Sequence, residues 1–259
     1  MNTRLDLTVL LFCHNEEEAL PKVIGDIRAA LQGGRYAYEI LVVDDGSTDR
    51  SASIAQDLSC RVLRHGLRRG AGAACKTGIR SAQGAIIAML DADGTYTAAD
   101  IPKMLEYFPD FDQVNGARTS EQGTMRLLRM PAKWLVRMFA SLLVRQRIPD
   151  LQTGLKASKR DVMLPYLGLI PDRFSYATLM TIIFLCAGKP VKFIPTEYHE
   201  RIGRSKFHPI RDTFCVVMNI CRLIWYFDPL RILIPVAVLL ILGGLGLLLY
   251  DLYFAVPGH

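Results

Sequence analysis

Ala85-Ile86-Ile87-Ala88-Met89-Leu90-Asp91-Ala92-Asp93 is the stretch on which the reading of the fold turns. Six apolar residues run straight into two carboxylates one residue apart. So short a continuous apolar run marks a strand buried on both faces, although periodicity alone does not separate it from a buried helix. A strand that ends in Asp-x-Asp delivers its acids to the carboxyl edge of a parallel sheet, where open α/β folds bind ligands. Neighbouring carboxylates repel and shift each other's pKa unless a cation sits between them. A hard divalent ion carrying a diphosphate meets that need, because Mg2+ favours one or two carboxylates plus phosphate oxygens. On these residues alone, a pair of solvated loop acids is an equal alternative.

Working outward, residues 7–13 form a second buried-strand candidate. Asn15-Glu16-Glu17-Glu18 follows, with acids expected in the first turn of a helix reaching residue 31. A strand over 39–43 closes on Asp44-Asp45-Gly46-Ser47-Thr48-Asp49, where Ser47 or Thr48 is placed to cap the next helix. A short strand over 61–64, a Gly- and Ala-rich helix over 70–82, a helix over 101–108 and a strand over 113–117 complete the alternation. Such β-α-β-α order predicts an α/β fold, a parallel sheet with helices on both faces.

Beyond residue 117 the pattern changes. Residues 125–147 are amphipathic, with Leu127, Trp134, Leu135, Met138 and Phe139 set against Arg126, Arg129, Lys133 and Arg137. That face suits a membrane interface, and equally an ordinary helix packed on the sheet. A further apolar helix is expected over 174–187, a strand over 191–198 and a second amphipathic helix over 209–227. Residues 232–250 are uncharged and apolar, long enough to cross a bilayer as a helix. Arg222 and Arg231 precede this run, so the positive-inside bias leaves the large domain cytoplasmic. The tail after Asp251 reads as an abrupt stop, with the expectation that the natural chain runs on.

Lys plus Arg number 31 and Asp plus Glu 25, a net charge of +6. This suits phosphate ligands or an anionic membrane, and without a basic run interleaved with aromatics it gives no sign of nucleic-acid binding. The six cysteines form no Cys-x-x-Cys pair and read as reduced core thiols; no secretory signal is visible. Gly70-Ala71-Gly72-Ala73-Ala74-Cys75-Lys76-Thr77 fails both the P-loop and the dinucleotide patterns at Cys75, and close helix–sheet packing is the preferred role of Gly72 and Ala73.

Asn15-Glu16-Glu17, Val42-Val43-Asp44-Asp45-Gly46-Ser47-Thr48-Asp49 and Asp91-Ala92-Asp93 all fall at strand ends of one α/β unit. In these residues the sequence resembles the family 2 inverting glycosyltransferases of GT-A fold. Gly116-Ala117-Arg118, Asp150-Leu151-Gln152-Thr153-Gly154-Leu155-Lys156 and Arg201-x-Gly-x-Ser205-Lys206 are similar to motifs of the polyprenyl-phosphate sugar synthases. The resemblance implies a Rossmann-like, mostly parallel sheet in a catalytic domain over 1–206. A juxtamembrane helix over 207–229 and a transmembrane helix with a short tail over 230–259 would follow, giving a single-pass membrane protein.

The resemblance also implies roles. Cys13, Asn15, Glu17, Asp44 and Asp45 would line the nucleoside pocket of a UDP- or GDP-sugar, with Asp45 accepting hydrogen bonds from the base. Asp91 and Asp93 would hold Mg2+ or Mn2+ and the diphosphate. Arg118, with Arg129 or Lys133, would bind the acceptor phosphate. Arg201, Ser205 and Lys206 would close over the diphosphate, and Gln152 with the Thr153-Gly154 turn would shape the sugar pocket. A homo-oligomer is left open. The implied reaction moves a sugar to a polyprenyl phosphate. The rivals are transfer to a sugar hydroxyl, for which Asp150 is the one candidate base, and a silent nucleotide-sugar-binding scaffold. Asp150 has an alternative role in fixing the Gln152–Gly154 turn by hydrogen bonds.

Overall fold

A computed structural model describes residues 5–34, 36–119, 126–173, 175–199 and 209–255; of residues 126–133, 135, 209–213 and 255 it describes the helical backbone alone. The strands are β1 (Leu7–Cys13), β2 (Tyr38–Asp44), β3 (Arg61–Arg64), β4 (Ile86–Asp91), β5 (Gln113–Arg118), β6 (Lys156–Lys159) and β7 (Val191–Thr196). The helices are α1 (Leu20–Leu31), α2 (Ser51–Asp57), α3 (Ala71–Ser81), α4 (Asp100–Leu105), α5 (Arg126–Val144), α6 (Arg160–Met163), α7 (Tyr176–Cys186), α8 (Pro209–Phe227) and α9 (Leu230–Ala255). The strands make one sheet in the order β3-β2-β1-β4-β6-β5-β7. All neighbours are parallel except the two pairs made by β6.

β4 is buried on both faces, as its apolar run predicts. Ile87 and Met89 join Leu10, Leu41 and Val43 in the core beneath α3 and α7. Ala88 and Leu90 join Val9, Leu11 and Val42 in the core beneath α1 and α4. The two-residue alternation of a pleated strand thus feeds two separate hydrophobic layers.

Two cap expectations are corrected. α1 begins at Leu20, with a proline in its first turn and no acid there. A proline is pre-set for the first helical position, and the preceding acids are engaged elsewhere: Glu17 Oε2 accepts from Arg50 N at 3.2 Å, and Glu17 N donates to Asp49 Oδ2 at 3.2 Å. α2 likewise starts at Ser51, beyond Ser47 and Thr48. Asp49 Oδ1 accepts from Ser51 N and Oγ at 2.9 and 2.6 Å, so Asp49 satisfies the first orphan donor of that helix.

Gly72 is a close-packing glycine, but its neighbour is a loop and not the sheet. A Cβ there would lie 1.9 Å from Pro171 O. The N–H groups of Gly72 and Ala73 donate to the carbonyls of Arg173 and Asp172. This helix start is therefore closed by chain.

α5 and α8 pack on α7 through Val136, Ala140, Val144, Val216, Ile220, Leu223 and Ile224. Their opposite faces expose Trp134, Met138, Leu142, Phe214, Met218, Trp225 and Tyr226. In α9 an 18-residue window of Leu230–Phe254 has mean hydropathy 2.8, and none of that window is buried. By length and composition it is a candidate membrane span.

Candidate active site

The carboxyl ends of β1 and β2 interlock through their loops. Asn15 takes a positive φ of 56°, which turns its backbone N–H to Ser47 Oγ at 3.0 Å. Its side-chain Oδ1 accepts from Thr48 N at 2.8 Å. Asp44 is fully buried; Oδ1 accepts from Ser47 N at 3.0 Å, and Arg64 Nε lies 3.1 Å from Oδ2. Burial, joined by the charges of Asp44 and Asp49, pushes the Cys13 thiol far above its ordinary range, so it stays protonated.

Asp45 is also buried. Oδ1 accepts from Arg69 N at 2.8 Å and faces His65 Nδ1 at 2.9 Å, while Oδ2 accepts from Gly70 N at 2.8 Å. Gly70 sits at φ 108°, and a Cβ there would lie 2.6 Å from Asp172 O. Burial acts to raise the Asp45 pKa. The His65 contact and the two backbone donors outweigh it and hold the carboxyl below its usual range.

The β4–β5 side is built from aromatic and hydroxyl groups. Asp91 Oδ1 accepts from the Tyr176 hydroxyl at 3.0 Å. Asp93 is buried, and its Oδ1 accepts from Thr95 N and Oγ1 at 3.2 and 2.7 Å. The 152–154 turn closes on this corner. Gly154 N donates to the Tyr96 hydroxyl at 2.7 Å, and a Cβ on Gly154 would stand 2.4 Å from Asp91 Oδ2. A larger residue at 154 would therefore have to displace the Asp91 carboxylate.

Arg118 and Asp150 form a bidentate pair. Nε and Nη2 of Arg118 reach Oδ2 and Oδ1 at 2.6 and 2.9 Å, and the guanidinium stands 5.2 Å from the Tyr198 ring centre. Asp150 also accepts from the N–H groups of Arg118 and Gln152, so it does fix the turn. Burial would raise its pKa, but Arg118 and these backbone donors prevail and hold it below the usual carboxylate range. Burial raises the Tyr198 pKa; Arg118 opposes this, while the charges of Asp93 and Asp91 add to it. One tyrosine thus feels both acids of the Asp-x-Asp stretch and the arginine, which places the three around a common corner.

Among the described residues, no cluster of three or more His, Cys, Asp and Glu side chains is set to hold a metal on its own. Asp91 and Asp93 are a two-carboxylate donor set, which fits Mg2+ or Mn2+ completed by phosphate oxygens. Arg201, Ser205 and Lys206 lie outside the described residues, as do the side chains of Arg129 and Lys133. The sequence reading missed Tyr176, Tyr96 and Tyr198. Tyr176 stands in an apolar run that reads as core, and its only signal is that a buried phenol needs a hydrogen-bond partner. It also missed His65 and the buried Lys156.

A mostly parallel sheet with one antiparallel strand beside β4, and Asp-x-Asp at its carboxyl edge, defines a glycosyltransferase of GT-A fold. The chain belongs to the family whose model is described as glycosyl transferase family 2, matched over residues 8–162. It is 32% identical over 227 residues to an uncharacterized glycosyltransferase of Mycobacterium bovis, covering 84% of this chain and 97% of that one. It is 28% identical over 219 residues to a dolichyl-phosphate hexose transferase of Haloferax volcanii, covering 84% and 93%. Among solved structures, it matches Mycobacterium tuberculosis glucosyl-3-phosphoglycerate synthase in complex with Mn2+, UDP and glucosyl-3-phosphoglycerate. The TM-score is 0.68 at 17% identity, over 84% of this chain and 79% of that one. That likeness establishes the fold.

Proposed function

We propose that this glycosyltransferase moves a sugar from a nucleotide-sugar to a polyprenyl phosphate at the cytoplasmic membrane face, with inversion at the anomeric carbon. The observation that carries the reading is the run of exposed apolar surface leading away from the catalytic domain. Trp134, Met138 and Leu142 of α5 and Phe214, Met218, Trp225 and Tyr226 of α8 are exposed, and the apolar α9 follows, exposed beyond its first turn. Such faces suit an enzyme whose acceptor stays in the bilayer. The chain would be anchored by one span, with the catalytic domain over 1–206 and a juxtamembrane helix over 207–229. The dolichyl-phosphate hexose transferase of Haloferax supports the same acceptor class.

The chemistry follows from the site. Cys13, Asn15, Glu17, Asp44 and Asp45 border or brace the nucleoside pocket. Asp91 and Asp93 hold a divalent ion, which when bound neutralises charge on the departing diphosphate. Arg201, Ser205 and Lys206 close on that diphosphate. Arg118, with Arg129 or Lys133, receives the acceptor phosphate, and Gln152 borders the sugar. A phosphate monoester has a second pKa near about 6 and is largely ionised at neutral pH. It needs positioning more than a base. A sugar-hydroxyl acceptor would need one, and Asp150 is committed to Arg118 and held in its weakly basic form.

The test offers labelled nucleotide-sugars one at a time to the full chain with undecaprenyl or dolichyl phosphate, followed by organic extraction. Label entering the organic phase is the expected result. Label found only in a water-soluble polysaccharide would replace the acceptor assignment. Release of the full chain from membranes by a high-salt wash without detergent would remove the membrane span.

A further inference from the structure

Asp45 has the hydrogen-bond arithmetic of a base selector. An ionised carboxylate offers about four lone-pair sites, two on each oxygen. Oδ1 uses both of its sites, on Arg69 N at 2.8 Å and on His65 Nδ1 at 2.9 Å. Oδ2 uses one, on Gly70 N at 2.8 Å. Among the described residues a single acceptor site is left, and it lies on Oδ2.

His65 keeps Oδ1 closed. It is buried, and its other nitrogen, Nε2, meets Thr77 Oγ1 on α3 at 3.0 Å. Asp45 is held below the usual carboxylate range, so the charged carboxylate requires Nδ1 to carry the proton. The imidazole is fixed from both sides, by the carboxylate and by the threonine. Arg69 N and Gly70 N belong to backbone immobilised against the 171–173 loop, where Gly70 has no room for a Cβ. The two backbone donors do not give way without moving the start of α3, and His65 is held by Thr77 on the same helix.

We propose that this closure selects a uracil-type base over guanine, with His65 as the positioning residue that enforces it. The inference rests on the nucleotide-sugar reading and on Asp45 facing the base. Guanine presents two adjacent donors, N1–H and N2–H, which need both carboxylate oxygens open side by side. Uracil presents one, N3–H, flanked by two acceptor oxygens, and one open site on Oδ2 serves it. Pairing guanine at this carboxylate would leave one of its donors facing a filled oxygen, and an unmade buried hydrogen bond is costly. A hydrogen-bond mismatch at a base edge is worth about 1–3 kcal/mol, or about five- to 150-fold in affinity.

The experiment is calorimetry of UDP and of GDP against the full chain in detergent with Mn2+. UDP is expected to bind about tenfold or more tightly than GDP. His65→Leu removes the Nδ1 donor and opens Oδ1, and the ratio should shrink to about threefold or less. His65→Asn restores an N–H donor near the same place and should keep most of the selectivity. A merely structural role would lower the affinity for both nucleotides and leave their ratio alone. Should His65→Leu fail to fold, Thr77→Val, which frees Nε2, is expected to narrow the ratio in the same direction by a smaller factor. GDP binding as tightly as UDP to the unaltered chain would overturn the base assignment and leave the donor reading standing. An unchanged ratio in the folded variants would overturn the role of His65. Binding of neither nucleotide would overturn both this inference and the donor reading.

Discussion

At the β1–β3 half of the sheet's carboxyl edge, the acids accept chiefly from backbone. Asp44 takes Ser47 N, Asp45 takes Arg69 N and Gly70 N, and Asp49 takes Ser51 N and Glu17 N, with Ser51 Oγ as a hydroxyl donor beside them. At the β4–β5 half, the Asp-x-Asp acids meet hydroxyls among their partners in the described residues: Asp91 takes Tyr176 and Asp93 takes Thr95 Oγ1, with Thr95 N as a backbone donor. A backbone donor turns away only when its loop moves, whereas a hydroxyl rotates. Acids of the first kind lock structure, and acids of the second kind are able to pass a lone pair to a cation. Acids at the same edge of one sheet thus differ in how many of their donors are backbone, and on the proposed function the β4–β5 pair is the one that holds the cation.

The largest effect expected from this contrast is on Asp93→Asn. Turnover should fall about 10³-fold, near 4 kcal/mol of transition-state stabilisation, with the melting midpoint almost unchanged. Asp49→Asn should do the opposite, costing about 1–3 kcal/mol of stability with turnover of the folded fraction largely kept. Kinetics and thermal melts on the two variants would break the comparison if Asp93→Asn were the destabilised one.

Arg118 tests the boundary between the halves, because it braces Asp150 and is also assigned to the acceptor. Arg118→Ala leaves a nearly buried carboxylate unpaired and should cost about 3 kcal/mol. Adding Asp150→Asn removes that stranded charge and should recover most of the stability. The KM for lipid phosphate, or kcat, should stay impaired in the double variant while nucleotide-sugar affinity holds. Recovery of full activity along with stability would reduce Arg118 to a brace.

Much of this edge is legible in the sequence. The six-residue run before Asp91 gives β4 and the strand ends give the acids, because buried strands and their polar exits are local patterns. β6 is not legible. Lys156-Ala157-Ser158-Lys159 is four residues long and half of it is lysine, yet it lies between β4 and β5. Lys156 is tolerated there because its Nζ donates to Asn115 Oδ1 and Thr181 Oγ1, partners supplied by β5 and α7. The interlock of residues 15–17 with 47–51 is hidden for the same reason: its donors and acceptors come from segments more than thirty positions apart.

Lys156 gives the next prediction. Burial lowers its pKa to about 7, with Arg118 adding to the shift and Asp150 opposing it. Between about pH 7 and its ordinary pKa near 10.4, the unfolded chain binds a proton that the folded chain does not. This group therefore makes stability rise with pH across that window, and its cost is fully present below about pH 7. Lys156→Met should flatten the rise in melting midpoint from pH 7 to 10. A slope equal to that of the unaltered chain would mean that the amine is solvated.

Tyr176→Phe carries the smallest effect, about 1 kcal/mol from one hydrogen bond. It should shift the Mn2+ concentration giving half-maximal turnover by less than about tenfold and leave UDP affinity at saturating Mn2+ unchanged.

The direct test of cation holding at the β4–β5 half is lipid-linked sugar formation by the full chain in excess chelator, followed by readdition of Mn2+ or Mg2+. Transfer is expected to stop in chelator and return with the ion, Asp49→Asn to keep this response, and Asp91→Asn not to recover. Undiminished transfer in chelator would contradict cation holding there.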